Sequence, residues 1–408
     1  MTTPIRNPSV FSGVAVALGL ITLLGPASID MYLPSMPAMA GELQTDYSTV
    51  QITLTVFLLA LGGGQLIFGP LIDALGRRRP LLFAVVTFVC ASLWSALAQS
   101  VEILIVARLV QGLAASLAVV TAMSSVRDVA EGVRATQLFA LLMTIQGLGP
   151  VLAPAAGGLI GSAFGWRTVF LVLGGLGIVV LLSSIVLLPE SLPIAKRAPL
   201  RFKEIGKTYG EIVTDKRFLL PAMSLAGAFI FLFAYIGGSS FAYQELYGIS
   251  STSFGLVFGG TGLAVLFGAM ASAKLAARVS VEKLAAAGAS AILFGALIAL
   301  VSASAPVGLY GIVPGMFIAL GGLGIAETTL MSIALSTRNT ALGASAAVLG
   351  AGPMILGAAA TPISAFLVEQ GAIFWTALLF GIALVTVLLT LASARMIRQA
   401  GVVVAVGH

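Results

Sequence analysis

The chain has 408 residues, of which 59% are hydrophobic and 9% are charged, and its mean hydropathy is +1.10. Because soluble domains carry about 25% charged residues, this composition excludes a soluble protein and predicts a polytopic membrane protein. Lys and Arg outnumber Asp and Glu by 21 to 15. The single cysteine, Cys90, excludes an intrachain disulfide. With one histidine, His408 at the end of the sequence, we expect no metal site and no cofactor.

Twelve apolar runs are long enough to cross a bilayer, which takes about 20 residues in a helix. We therefore predict an all-α membrane protein with twelve transmembrane helices. We expect no cleavable signal peptide, because the first ten residues are polar and the apolar run after them is too long for one. The predicted spans are 11–38, 48–72, 79–99, 101–123, 135–162, 166–188, 218–242, 252–274, 281–303, 308–334, 342–366 and 371–394.

The first span contains an aspartate, Asp30, and the fourth contains an arginine, Arg108. An ionisable residue in a bilayer is costly, by about 2.5–3.5 kcal/mol on insertion scales. The first span runs outward and the fourth runs inward. Counted at 1.5 Å per residue from the outer face of the membrane, both side chains lie at a similar depth. Burial favours a protonated carboxyl and a nearby guanidinium favours the carboxylate. We expect Asp30 to exchange protons and Arg108 to tune it; the alternative is a static ion pair.

The turn between the second and third spans reads Gly69-Pro70-Leu71-Ile72-Asp73-Ala74-Leu75-Gly76-Arg77-Arg78-Arg79. This G-x-x-x-D-x-x-G-R-R pattern resembles the signature loop of the major facilitator superfamily. The resemblance implies two six-helix bundles and a monomer. It also implies that Asp73 contacts the N-terminus of the eleventh span and a cation, Arg127 or Arg134. These residues, with Gly76 and Arg77, are candidates for gating; the alternative for Asp73 is a plain helix-end acid.

Three further stretches resemble the drug:proton antiporters of that superfamily, and the bicyclomycin/chloramphenicol-resistance subfamily among them. They are Asp30-Met31-Tyr32-Leu33-Pro34, then Arg108-Leu109-Val110-Gln111-Gly112, and the Gly-rich stretch 147–158. The resemblance implies proton-driven export, with Gly149-Pro150 bending the fifth span; both residues are further candidates for gating. A similar Gly352-Pro353 in the eleventh span indicates an internal repeat.

A polar segment, 189–217, separates six spans from the next six and holds seven of the cations. We predict an N-terminal bundle at 1–188, this basic linker, and a C-terminal bundle at 218–408. A short amphipathic helix near 200–213 is possible, although a solvated connector is the favoured interpretation. With the linker in the cytoplasm, nineteen of the 21 Lys and Arg residues lie on that side. This positive-inside pattern places both termini in the cytoplasm and explains the basic charge without nucleic acid.

The substrate is expected to be small and lipophilic, because few charged residues lie within the spans. Candidate binding residues are Asp30, Tyr32, Arg108, Gln111, Gln146, Phe231, Tyr235 and Tyr243. The aromatics of the seventh span surround Gly237-Gly238; for any one of them, contact with lipid or a neighbouring helix is the favoured interpretation and pocket lining the alternative. Glu327, the other acid within a span, is a second proton site, a gate residue or a partner of threonine hydroxyls.

These observations favour a proton-coupled exporter of drug-like compounds, such as phenicols or bicyclomycin, in a bacterial inner membrane. The alternative within transport is a proton-coupled carrier of a natural metabolite such as a sugar, an amino acid or a siderophore. A membrane enzyme is disfavoured, because the sequence has no Ser/His/Asp set and no nucleotide loop. A sensor that does not transport would need a partner for the basic linker.

Overall fold

The computed structural model describes residues 8–338 and 340–399, so that Arg6 and His408 lie outside the described ranges. In these ranges the chain forms fifteen α-helices and no strand. They are α1 (Pro8–Asp30), α2 (Met36–Glu42), α3 (Tyr47–Leu75), α4 (Arg78–Ala96), α5 (Val101–Val129), α6 (Gly132–Phe164), α7 (Trp166–Leu187), α8 (Phe202–Thr214), α9 (Lys216–Phe241), α10 (Ser251–Leu275), α11 (Val281–Ala303), α12 (Leu309–Ser336), α13 (Leu342–Ala358), α14 (Ala360–Glu369) and α15 (Ala372–Gln399).

Twelve segments of the described chain are long and apolar enough to span a membrane, which confirms the predicted number of spans. The largest difference in bounds is in the fourth span, which was predicted to end at residue 123 and continues to Val129 in α5. Two spans differ in kind, because each consists of two helices where one was predicted.

The first span breaks after Asp30, where α1 ends, and continues as a 3₁₀ turn at Leu33–Ser35 and then as α2. A proline removes the N–H that would bond the carbonyl four residues earlier, and its ring clashes with that carbonyl. Pro34 does this to Asp30. In the same way, Pro362 ends α13 at Ala358, and α14 completes the eleventh span. The prediction of continuous helices in these two spans was therefore wrong.

The helices approach one another most closely at glycines, as small residues allow in membranes. Between α11 and α12, a Cβ on Gly288 would lie 2.7 Å from the carbonyl oxygen of Gly322. Between α6 and α10, a Cβ on Gly259 would clash with the carbonyl of Val151. This second contact joins the half of the chain before the linker to the half after it.

The linker helix α8 packs against the bundle, so the favoured interpretation of 189–217 as a solvated connector was incomplete. Ile212 is fully buried, and the hydroxyl of Tyr209 donates to the carbonyl oxygen of Leu66 in α3 at 3.0 Å. We call the end of the molecule that carries α8 and the Asp73–Arg79 turn the linker face. The opposite end, which carries Glu42 and Tyr47, is the distal face.

Candidate functional site

The break in the first span lies at the contact between the two halves of the chain. Two of its carbonyl groups, those of Leu33 and Pro34, accept side-chain hydrogen bonds from the second half. Leu33 accepts from the Ser240 hydroxyl at 2.6 Å. Pro34 accepts from the Gln244 amide at 3.0 Å and from the Ser251 hydroxyl at 2.9 Å. Because unsatisfied backbone groups are costly inside a membrane, these three donors stabilise the broken segment.

Arg108 is fully buried and is surrounded by aromatic rings. Its guanidinium carbon lies 4.1 Å from the ring centre of Phe57, 4.5 Å from that of Tyr32 and 5.8 Å from that of Phe170. It donates to the Ser28 carbonyl at 2.9 Å, at the end of α1. A helix C-terminus carries partial negative charge, and a desolvated cation–π contact is worth about 2 kcal/mol, so these contacts compensate the buried charge.

The expected ion pair between Asp30 and Arg108 does not form. Asp30 is 4% exposed and makes no hydrogen bond or ion pair with any described residue, whereas Arg108 binds the Ser28 carbonyl two residues before it. The depth estimate was therefore correct, but the pairing was wrong. The reason is the helix break, because the end of α1 offers the guanidinium a carbonyl in place of the carboxylate. Asp30 is left as a buried acid without a counter-ion.

Two other predicted binding residues complete the surroundings of Arg108. Gln111 accepts from Arg108 at 2.6 Å and donates to the Ser92 hydroxyl at 2.8 Å, which ties α5 to α4. The Tyr32 hydroxyl lies 3.3 Å from that of Thr53. The structure thus brings Tyr32, Arg108 and Gln111 together. Gln146 is half-buried on α6 and is not part of this group.

The fifth span, α6, holds the broken segment in position through its glycines. A Cβ on Gly157 would overlap the carbonyl oxygen of Met31, the first residue after Asp30. A Cβ on Gly149 would lie 2.5 Å from the ring of Pro26 in α1. Pro150 remains inside α6, and its carbonyl faces Gly262 of α10. The predicted Gly-Pro stretch therefore supports the first span on one side and the second half of the chain on the other.

The aromatic residues of the seventh span pack against neighbouring helices, which is the favoured of the two interpretations. Phe231, Tyr235 and Tyr243 are all fully buried. The ring of Tyr235 stacks on Phe258 at 5.3 Å and on Trp375 at 6.2 Å, and its hydroxyl lies 3.1 Å from that of Thr261. These rings form a packed cluster among α9, α10 and α15. In this conformation they are core residues and do not line an open pocket.

Glu327 lies in α12, is half-buried, and forms no hydrogen bond or ion pair with any described residue. The neighbouring Thr328 hydroxyl donates to Ser272 instead, at 2.9 Å. The suggestion that Glu327 bonds threonine hydroxyls is therefore wrong for this conformation. Asp30 and Glu327, one in each half of the described chain, both lie well inside their spans and lack a partner.

The distal face is closed by hydrogen bonds between the two halves. The Tyr47 hydroxyl and the Gln51 amide both donate to the Gly237 carbonyl, at 3.0 and 2.6 Å. The hydroxyls of Thr55 and Thr361 lie 2.6 Å apart. In the described ranges, the side-chain hydrogen bonds between residues 8–188 and 216–399 extend from this face only as far as the amide of Gln65.

On the linker face, Arg77 joins two acids at the ends of α3 and α5. It contacts Asp73 at 2.7 Å and Asp128 at 2.9 Å. Gly76 adopts φ +93°, and a Cβ there would lie 2.6 Å from Arg197 and 2.7 Å from Glu190. The turn therefore requires glycine for its backbone conformation and for space.

Asp73 pairs with Arg77 and not with either of its predicted partners. Its carboxylate pairs with Arg77 and is half exposed, while Arg127 is exposed and Arg134 lies 5.9 Å from the ring of Phe11. The start of α13 is also open, since Leu342 is 53% exposed. Asp73 therefore makes no ion pair or side-chain hydrogen bond with the eleventh span in this conformation.

Glu190, from the linker, caps the N-terminus of α4. It accepts from the backbone N–H of Arg77 at 2.8 Å and of Arg78 at 3.3 Å. Burial alone would raise its pKa, but these N–H groups, that of Leu192 and the charge of Arg197 outweigh it and hold the pKa of Glu190 below its ordinary value of 4.5. This contact fastens the linker to the Asp73–Arg79 turn, which we call the signature turn.

Sequence reasoning missed Asp128, Glu190 and the donors Ser240, Gln244 and Ser251. An acid directly after Pro189 in a basic segment was a signal for Glu190. No sequence pattern marks the three donors, because their role depends on the break in the first span, which is distant in sequence.

Comparison with known proteins supports this structural assignment. The profile described as the Major Facilitator Superfamily matches residues 18–352. An uncharacterized MFS-type transporter of Bacillus subtilis, YdgK, is 40% identical over 65% of this chain and 67% of its own length. A chloramphenicol resistance protein of Pseudomonas aeruginosa is 31% identical, over 63% of this chain and 60% of its own.

A bicyclomycin resistance protein homolog of Haemophilus influenzae is 28% identical over 65% of this chain and 67% of its own. Among solved structures, a bacterial homolog of the human lysosomal transporter Spinster, in an inward-facing and unoccupied conformation, covers 97% of each chain with a TM-score of 0.73 at 15% identity. This likeness shows the fold. The matched profile covers well over half of the sequence, and the chain therefore belongs to the Major Facilitator Superfamily.

Proposed function

We propose that this transporter exports lipophilic, drug-like compounds in exchange for protons and thereby confers antibiotic resistance. The observation that carries the proposal is Asp30, a buried carboxyl without a counter-ion at the break in the first span. A carboxyl that cannot be neutralised by a neighbour is stable in the membrane when it is protonated. The names of the relatives support phenicols and bicyclomycin as test substrates.

The proposed cycle uses the two halves, residues 1–188 and 218–408, as rocking units around the break. With the distal face closed, Ser240, Gln244 and Ser251 hold the carbonyls that follow Asp30. Opening the distal face withdraws these donors and admits water to Asp30, which then takes up a proton. When the distal face closes again, Asp30 becomes accessible from the linker face and releases its proton there.

Arg108 acts in this proposal as a positioning residue. It fixes the end of α1 through the Ser28 carbonyl and stays charged within its aromatic surroundings throughout the cycle. Tyr32 and Gln111 are proposed to contact the substrate beside it, and Glu327 to serve as a second, auxiliary acid. Asp73, Gly76, Arg77, Arg127 and Arg134 are proposed to close the linker face when the distal face opens.

We place the linker face in the cytoplasm of a bacterial cell, with the protein in the inner membrane and acting as a monomer. The nineteen cations assigned to that side support this orientation. The partners are then the bilayer, protons and a small lipophilic substrate.

The test is transport in proteoliposomes whose lumen is made acidic. We expect chloramphenicol to accumulate inside while the pH gradient lasts, and to leave when an ionophore collapses the gradient. Accumulation that is insensitive to the ionophore would contradict proton coupling. A second arm with sugars and amino acids tests the substrate class, since gradient-dependent uptake of these compounds alone would contradict drug export.

A further inference from the structure

A groove on the membrane-facing side of the first half lies outside the candidate transport site. It has a volume of about 670 Å³ and opens between α3 and α4, with α5 as its floor. This volume falls within the range of small-molecule sites, roughly 300–1,000 Å³. Its walls are almost entirely apolar, formed by Phe68, Leu71, Leu75, Phe83, Leu113 and Leu117 among others.

The length of the groove matches one leaflet of a bilayer. It runs along α4 from Arg79 at the linker face to Thr87. At 1.5 Å per residue this is about 12 Å, against roughly 15 Å for half of a 30 Å hydrocarbon core. A groove of this depth and polarity fits an acyl chain lying parallel to the helices.

Two cations stand at the entrance of the groove. Arg79 is exposed and forms no hydrogen bond or ion pair with any described residue. Arg197 is held there because residues 190–198 fold back over the signature turn, where the Ala198 N–H donates to the Asp73 carbonyl. Its contact with Glu190, at 3.7 Å, is loose, and its Nε atom is buried without a partner.

We infer that this groove binds an anionic phospholipid of the leaflet at the linker face. One acyl chain lies between α3 and α4, and the phosphate is bound by Arg79 and Arg197. Basic sites between transmembrane helices on the cytoplasmic side are suited to anionic headgroups. A zwitterionic lipid has the same acyl chains, but its headgroup has no net charge. The two arginines therefore favour the anionic lipid. Because Arg197 also contacts Gly76 and Glu190, the bound lipid holds the linker against the signature turn.

The test is native mass spectrometry of the full-length protein titrated with phosphatidylglycerol or phosphatidylcholine. Wild type should retain one phosphatidylglycerol more tightly than any phosphatidylcholine. Arg79→Gln should weaken that binding roughly fivefold, as expected for one cation near a headgroup. Arg79→Lys should retain most of it. Thr87→Trp, which fills the inner end of the groove, should weaken the binding of both lipids.

Arg278→Gln is the matched control, because Arg278 is an exposed cation on the same face and far from the groove in sequence. It should leave binding unchanged. Equal retention of the two lipids by wild type would overturn the inference. So would loss of binding in Arg278→Gln equal to that in Arg79→Gln, which would indicate diffuse surface charge. Displacement of the lipid by millimolar inorganic phosphate would leave an anion site only and would refute the acyl-chain groove.

Discussion

At the scale of single residues, Gly157 and Gly76 are two of the positions that require glycine, and each fixes a feature that the proposed function needs. Gly157 allows the carbonyl of Met31 to lie against α6 at the point where the first span breaks. Gly76 allows the signature turn to fold under Glu190 and Arg197. The Gly157 contact is with backbone atoms of Met31, whereas Gly76 is required by its φ of +93°.

We expect Gly157→Ala to destabilise the protein and to reduce transport. The added carbon overlaps a backbone oxygen, so α6 and the broken segment must separate, and overpacking of this kind costs about 1–3 kcal/mol. Thermal unfolding in detergent and gradient-driven uptake measure the two effects. Gly175→Ala in α7 is the control, because its Cβ would meet no atom within 4 Å. Equal stability and equal transport in Gly157→Ala and Gly175→Ala would contradict the close contact between Gly157 and the Met31 carbonyl.

We expect Gly76→Ala to lower the free energy of unfolding by about 1–3 kcal/mol, the cost of a non-glycine residue in a region of φ/ψ space that only glycine favours. The side-chain ends of Arg197 and Glu190 would also have to move away from the added carbon. Gly69→Ala, seven residues earlier in α3 and with open space around it, should be neutral or slightly stabilising. An unchanged melting temperature for Gly76→Ala would refute this reading of the turn.

At the scale of helices and their connections, Glu190 makes the linker part of the first bundle. Its lowered pKa means that the folded state binds the ionised carboxylate more favourably than the unfolded chain does. Its contribution to stability is therefore complete above the ordinary pKa of 4.5 and is lost as the pH falls through the lowered pKa.

Glu190→Gln should accordingly be less stable than wild type at neutral pH, by about 0.3–1 kcal/mol for a charge at a helix N-terminus. The difference in melting temperature should vanish under acidic conditions, where the wild-type carboxylate is protonated. Glu204→Gln, in the same linker but paired only with exposed Arg201, is the control. A difference that stays constant with pH would show that Glu190 acts through shape and not through charge.

The helices also show how far the sequence could be read. Length and hydropathy were sufficient for twelve spans, because a bilayer imposes both on any helix that crosses it. The breaks after Asp30 and Ala358 were also encoded, by Pro34 and Pro362 four residues later, but apolar runs were read as continuous. Once the break is placed, the end of α1 offers a carbonyl to Arg108, and the expected ion pair is lost. The packed cluster around Tyr235 depends on α10 and α15, and nothing in the seventh span alone predicts it.

At the scale of the whole molecule, the described side-chain hydrogen bonds between the two halves lie on the distal side and extend only as far as Gln65. Tyr47 and Gln51 supply three of the hydrogen bonds of the distal face, two of them to Gly237. A net hydrogen bond contributes about 1 kcal/mol. Removing these donors should therefore shift the population toward a state open at the distal face.

We expect the double variant Tyr47→Phe/Gln51→Leu to lengthen the distance between spin labels at positions 44 and 245, which are both exposed at that face. A Cys90→Ser background removes the native thiol. Thr144→Ala is the control, since its hydroxyl is exposed and bonds only within α6. Unchanged distance distributions in the double variant would contradict the claim that these hydrogen bonds control closure of the distal face.

The central claim is that Asp30 carries the proton, and it is tested most directly by comparing two modes of transport in Asp30→Asn. Gradient-driven accumulation of chloramphenicol requires a titrating group, whereas exchange of labelled for unlabelled chloramphenicol at equal pH requires only binding and alternating access. We expect Asp30→Asn to retain exchange and to lose accumulation, while Glu327→Gln keeps both in reduced form. Full gradient-driven accumulation by Asp30→Asn would contradict the account.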